Sequence, residues 1–305
     1  MESEKAMNEL ISNALNVSEI PDLFDPHALI YLATMLGIFV LGKWVYDLLT
    51  PYKLNEQLVE VDNRAVAVSF AGYLLGLGII LEGVVSQEAA NVATGSARRD
   101  LLLDVGDTLL WGVIGIVLLQ LARLINDRLL LNTFSNTKEL IEDQNVGTGA
   151  VEFGSFVGSA LIIRVLLMGE DHGILVSIVE TLVYFLAAQA IFVLFGKIYQ
   201  WVTRYDVHKE IERDNAAAGI SLGLSLIAVS LLVSSYLSRY DSLPGLAVWF
   251  LVGTTLLLGC RYLVDKFLLP GRLLDDEVGT DQNWGAALIE GGSAIALAAM
   301  IGASF

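Results

Sequence analysis

Asp62-Asn63-Arg64-Ala65-Val66-Ala67-Val68-Ser69-Phe70-Ala71-Gly72, running on through Gly76 and Gly78, is the stretch whose reading decides the fold. An Asn stands ahead of small residues two, four, nine and thirteen positions on, inside an apolar run long enough to cross a bilayer. The frame returns at Asn145, Asn215 and Asn283. Two positions after each Asn come Ala65, Gly147, Ala217 and Gly285, and four after come Ala67, Gly149, Gly219 and Ala287. Nine after come Gly72, Gly154, Leu224 and Gly292; thirteen after come Gly76, Gly158, Ala228 and Ala296. The ninth and thirteenth positions share a helix face, and small residues there let helix backbones approach closely in lipid. Each Asn is expected to cap its helix, because its side-chain oxygen accepts from orphan backbone N–H groups. Asp62, Asp143, Asp214 and Asp281, one or two residues earlier, suit the positive end of a helix dipole.

Roughly twenty residues upstream of each Asn an apolar run ends in a cation: Lys43, Arg123, Lys197 and Arg261. The unit is therefore helix, cation, polar connection, Asn cap, small-residue helix, and it occurs four times. The halves agree better than the quarters. Arg123 pairs with Arg261, Asp127 with Asp265, Asn145 with Asn283, Glu152 with Glu290 and Ser155 with Ser293 at one constant offset. Thr50-Pro51-Tyr52 likewise matches Thr203-Arg204-Tyr205. The chain reads as an internal duplication.

Of the 305 residues, 55% are hydrophobic, as expected of a polytopic membrane protein. The expected fold is all-α, with eight transmembrane helices in two parallel four-helix repeats. The spans are about 27–49, 64–85, 103–123, 147–168, 174–200, 215–237, 243–265 and 284–304. The domains are an acidic N-terminal tail (1–26), a first repeat (27–169) and a second repeat (174–305). The tail, rich in Glu and Asp, is unlike the basic start of a cleavable signal peptide; it is read as solvated, with one interfacial turn around Leu10 and Leu15.

Of the 18 Lys and Arg residues, all but Lys5, Arg98, Arg99, Arg164 and Arg239 fall in or beside the connections after the odd-numbered spans. Those connections should face the cytoplasm, with the protein in the inner (plasma) membrane and both termini on the extracytoplasmic side. Four spans per half make the repeats parallel rather than inverted. The connection Pro51–Val61 reads as an amphipathic surface segment or a solvated helix extension; its more charged counterpart, Asp206–Arg213, favours the solvated form. A net charge of −16 disfavours nucleic acid. Cys260, the one cysteine, lies in an apolar helix and is read as a small core residue.

His27, His172 and His208 fall on two sides of the membrane under this topology, so they make no common metal cluster. The sequence holds no HExxH, paired CxxC or phosphate loop. No catalytic residue, metal or cofactor is expected. Asp104 and Asp107 are read as acids at the positive end of the third span.

Ionisable residues inside spans remain. Glu152 and Glu290, seven residues past their Asn, lie ~10 Å along a helix at ~1.5 Å per residue. Facing a common two-fold axis they would form a carboxylate pair that binds a cation or shares a proton. Otherwise each hydrogen-bonds a neighbouring helix, or pairs with Arg123 or Arg261. Arg164 and Glu180, flanking the short connection between the halves, are expected to form a structural ion pair.

The Thr50-Pro51-Tyr52 turn, the stretch Val61–Gly72 and Leu75-Gly76 together resemble the YjfL-like membrane family, domain of unknown function 350. The resemblance spans nearly all of 27–304 and implies a tandem of two four-helix copies in a bacterial-type inner membrane. Leu224, where the frame has Gly, is a departure. The resemblance brings no activity, substrate or catalytic residue. The expected function is a small cation or proton pathway, or a solute carrier, using Glu152 and Glu290. The alternative is a non-transporting scaffold or anchoring subunit of an envelope, stress-related complex. The expected partners are the lipid bilayer and either a second copy of the chain or a cytoplasmic protein.

Overall fold

The structure, a computed structural model, describes residues 5–7, 12, 26–86, 96–169, 172–269 and 271–305. Most of the acidic tail, with the turn expected around Leu10 and Leu15, lies outside them. Eight helices among the described residues are long and apolar enough to cross a membrane: α1 (Pro26–Leu49), α2 (Arg64–Ser86), α3 (Ala97–Leu129), α5 (Val146–Leu167), α6 (Ile174–Val202), α8 (Ala216–Leu237), α9 (Leu243–Leu263) and α11 (Trp284–Ser304). Leu29, Leu36, Val117 and Leu251 stand exposed on their outer faces, a surface suited to lipid and not to water. Helix α3 overruns its expected span at both ends. Hydropathy marks the lipid-facing part of a helix, and neither flank of α3 carries a Gly or Pro to stop it. Asp104 and Asp107 thus sit two to three turns inside α3, beyond the reach of its terminal dipole.

A short helical segment precedes each Asn: a π-helical turn (Glu56–Glu60), α4 (Asn136–Ile141), α7 (Val207–Glu212) and α10 (Leu274–Gly279). The solvated reading of Asp206–Arg213 is corrected here, because Val207 and Ile211 are buried, as are Leu54, Leu140, Leu274 and Val278 in the other connections. Glu60, Lys138, Lys209 and Asp276 beside them face outward, and the buried apolar side chains seat each segment against the spans.

Between segment and Asn, one residue adopts the left-handed region: Asp62 (φ 56), Gln144 (φ 50), Asp214 (φ 62) and Gln282 (φ 50). This conformation costs roughly 1–2 kcal/mol for a residue with a Cβ, and the Asn that follows offsets it with several hydrogen bonds. Its Oδ1 accepts from the N–H of Val66, Thr148, Ala218 or Ala286 at 3.1–3.3 Å, capping the long helix. Its own N–H donates back to the carbonyl of Gln57, Glu139, Glu210 or Glu277, and its Nδ2 donates to the side chain of that same residue. Asn63, Asn145, Asn215 and Asn283 are caps, as their spacing implies.

The second Nδ2 proton sets the tertiary order. Asn63 donates to Leu140 O, Asn145 to Ile211 O and Asn215 to Val278 O. Each cap thus grips the surface segment of the next quarter, so all four caps lie on one side of the protein, hereafter the cap side. The capped helices α2, α5, α8 and α11 stack in that order as a row, with α5 and α8 the most buried spans and α1 the least. Gly72 lies against Phe153, Gly76 against Phe156 and Ala160, Gly154 against the Gly223 backbone, and Gly158 against Leu226 and Ser230. Gly292 departs from its expected packing role: it is exposed, and a methyl group there would meet nothing within 4 Å. Its neighbour Gly291 faces Leu224 instead.

Candidate functional site

Glu152 and Glu290 are both buried, but in separate places. The expected carboxylate pair does not form. The repeats continue one row instead of facing each other, so each Glu points into the helices of its own half.

In the first half, Ser69 of α2 donates to Glu152 Oε2. The Tyr46 hydroxyl of α1 lies 3.5 Å from Ser69 Oγ and 3.1 Å from the Tyr52 hydroxyl. The Arg123 guanidinium of α3 stands 5.0 Å over the Tyr46 ring and 3.7 Å from Asp127, a cation–π contact backed by an ion pair one turn away.

The second half repeats the set. Ser221 donates to Glu290 Oε2, and the Tyr199 hydroxyl donates to Ser221 Oγ at 2.9 Å and to Glu290 Oε1 at 3.1 Å. Arg261 stands 5.1 Å over the Tyr199 ring and bridges Glu290 (3.1 Å) and Asp275 (2.9 Å). Tyr46, Tyr199, Ser69 and Ser221 were missed in the sequence. The signal was there: Tyr46 and Tyr199 share the offset that matches Tyr52 with Tyr205, and Ser69 and Ser221 each follow their Asn by six.

The copies differ in how far they are neutralised. Glu290 has a cation at ion-pair distance and Tyr199 donating to the same oxygen, whereas Glu152 Oε1 is buried with no hydrogen-bond partner among the described residues; Arg123 Nε and Arg261 Nη1 alike make ion pairs without a hydrogen bond. Polar groups surround the first site: Gln120 is buried nearby, and Asn126 donates to Ser155 at 2.6 Å. At the matching positions the second half has Leu258 and Val264. A cavity of about 10 Å³ beside Glu290 is the size of one water.

A far larger cavity, about 930 Å³, opens at the side opposite the caps, among α3, α5, α6 and α8. Asp104, Asp107, Glu180 and Asp241 line it; Glu152 and Glu290 do not. Helix α6 leads inward from it. Ser177, Thr181, Phe185 and Gln189 follow at four-residue steps on its buried face. The first two line the cavity, and Gln189 donates to Ser159 of α5, one turn from Ser155. Phe185, fully buried, interrupts this polar line.

The expected Arg164–Glu180 pair is corrected. Arg164 binds Glu82 of α2 through two nitrogens, and Glu180 pairs with His172 at 3.0 Å. Similar depth in the membrane did bring acid and base together. The neighbour, however, is set by the α2–α5 seam, where Gly83 lies against the Arg164 stem.

A family described as Domain of Unknown Function (DUF350) matches residues 14–167 and again 173–305. The chain belongs to the DUF350 family. The two matches fall on the two halves, so this DUF350 chain is a tandem of two copies. It is 24% identical over 270 residues to a UPF0719 transmembrane protein of Aquifex aeolicus (strain VF5), covering 85% of this chain and 93% of the relative. It is 28% identical over 105 residues to the UPF0719 transmembrane protein YshE of Bacillus subtilis (strain 168), covering 34% of this chain and 78% of that one. No solved structure matches it. With its relatives named transmembrane proteins and eight apolar helices of spanning length, this DUF350 chain is a multi-pass membrane protein.

Proposed function

We propose that the protein is a non-enzymatic pathway for protons or small monovalent cations, with Glu152 as the group that takes up the charge. The supporting observation is the buried Glu152 carboxylate, one of whose oxygens has no protein donor, inside a membrane-spanning helix. An ionisable group at such depth is costly and marks a pathway by default. The acid-lined cavity would concentrate cations at its mouth. The polar line from Ser177 and Thr181 to Gln189, Ser159 and Ser155 leads toward Glu152, and Phe185 closes it in this conformation. Glu290, already neutralised by Arg261, serves as the structural twin. The Lys and Arg bias assigns the cap side to the cytoplasm of a plasma membrane.

The test is flux in liposomes carrying the full chain, under an imposed pH or K⁺ gradient and read by an internal dye. The wild-type should exceed protein-free vesicles, Glu152→Gln should lose at least tenfold of that excess, Glu290→Gln should retain most of it, and Phe185→Ala should raise it. Undiminished flux in Glu152→Gln would remove that residue from the pathway. No flux from folded protein under either gradient would favour the second reading, a membrane scaffold, for which the closed interior at Phe185 and the small volume beside Glu290 speak.

A further inference from the structure

The three seams of the α2–α5–α8–α11 row share one register. The ninth residue after one Asn meets the eighth after the next: Gly72 with Phe153, Gly154 with Gly223, Leu224 with Gly291. The thirteenth meets the fifteenth, Gly76 with Ala160 and Gly158 with Ser230. A capping Asn donates across each seam to the neighbouring surface segment. A linking helix covers each seam as well: α3 packs on α2 and α5, α6 on α5 and α8, and α9 on α8 and α11.

Among the described residues these devices recur, unused, at the two ends of the row. On α11 the ninth and thirteenth positions, Gly292 and Ala296, are exposed. On α2 the eighth and fifteenth positions, Ala71 and Gly78, are exposed, and a methyl group on Gly78 or Gly292 would meet nothing within 4 Å. Asn283 Nδ2 donates to Glu277 alone among the described residues, lacking the cross-seam carbonyl the other three caps find. The carbonyl at the matching place ahead of α2 is that of Leu58. Helix α1 is the linking helix with half a seam. It packs on α2 and α3, with Leu29, Leu32, Leu36 and Val40 exposed.

We propose that a second copy of this chain completes the series, with α11 of one copy seated on α2 of the next in the internal register. Gly292 then faces Ala71 of the next copy, Ala296 faces its Gly78, Asn283 donates to its Leu58 carbonyl, and its α1 covers the new seam. The contact is head-to-tail. Pairing α11 with α11 would set ninth positions against each other, which no internal seam does. Head-to-tail contacts make a ring where the rotation closes. Small residues on both sides allow the close backbone approach that drives helix association in lipid.

The experiment is native mass spectrometry of the full chain released from lipid nanodiscs, with cysteine cross-linking in membranes. The wild-type should be oligomeric. Gly292→Leu and Gly78→Leu should each shift it to monomer with the helical circular dichroism of the wild-type retained, since a methyl group at either position meets nothing in the lone protomer. In a Cys260→Ala background, Ala71→Cys with Gly292→Cys should yield covalent multimers, and either substitution alone should not. A monomeric wild-type, an oligomer that survives both Leu variants, or Gly292→Cys linking to itself as readily as the pair links would overturn the proposal.

Discussion

The two halves hold the same four residue types around a buried Glu and use them differently. In the second half Arg261 reaches Glu290 directly, and Tyr199 donates to the same carboxylate oxygen. In the first, Tyr46 is turned toward Tyr52, Arg123 makes its ion pair with Asp127, and one Glu152 oxygen is left over. The reason lies in the neighbours. Asp127 accepts from Asn136 in the first half, where the matching Asp265 accepts from the backbone of Leu274. Arg261 has Asp275 as its further acid, and the residue at the corresponding place in the first half is Thr137. Duplication produced two copies of a site, and divergence around them left one neutralised and one available.

The largest test of that difference removes the cations. Arg261→Ala leaves Glu290 buried without its partner, a change that costs about 3–5 kcal/mol where a buried pair is broken. Arg123→Ala, which breaks no direct contact with Glu152, should cost clearly less. Melting temperatures followed by helical circular dichroism in mild detergent read both, and equal losses would show the halves to be equivalent.

A middle-sized effect compares two caps. Asn145→Ala removes the cap and both Nδ2 bonds, whereas Asn283→Ala removes the cap and one. At about 1 kcal/mol for a cap and about 1 kcal/mol for each further hydrogen bond, Asn145→Ala should be the more damaging by about 1 kcal/mol, read by the same melts.

The smallest effect concerns Glu139, on the surface segment of the first half. Burial pushes its carboxyl above the ordinary value, against the lowering effect of the Asn145 hydrogen bond. Ionisation therefore disfavours the fold, and the penalty is present above the folded value and absent below the ordinary carboxylate range. Glu139→Gln should raise the melting temperature slightly at neutral pH, with the gain vanishing as pH falls below about 4. Glu277→Gln, at the half-buried matching position, should change it less.

Much of the candidate site was legible. Glu152, Glu290, Arg123 and Arg261 all stood out as charges in apolar runs. The ion pairs were legible only by depth: Arg164 lay at the level of Glu180, but also at that of Glu82, and spacing alone does not choose between them. Phe185 carried no sign of its place in a polar line, because an aromatic residue in a span ordinarily faces lipid or core.

From the sequence alone came the number of crossings, the four Asn caps and the duplication. Each follows from hydropathy and spacing along single helices, which are local quantities. Only the tertiary structure decided that the capped helices form an open row, that the two glutamates stay apart, and that Gly292 faces outward. Those outcomes depend on how each helix is rotated about its axis and on which neighbour it meets. Small residues permit close approach on whichever face they occupy, and the caps reaching from one quarter to the next select the partner.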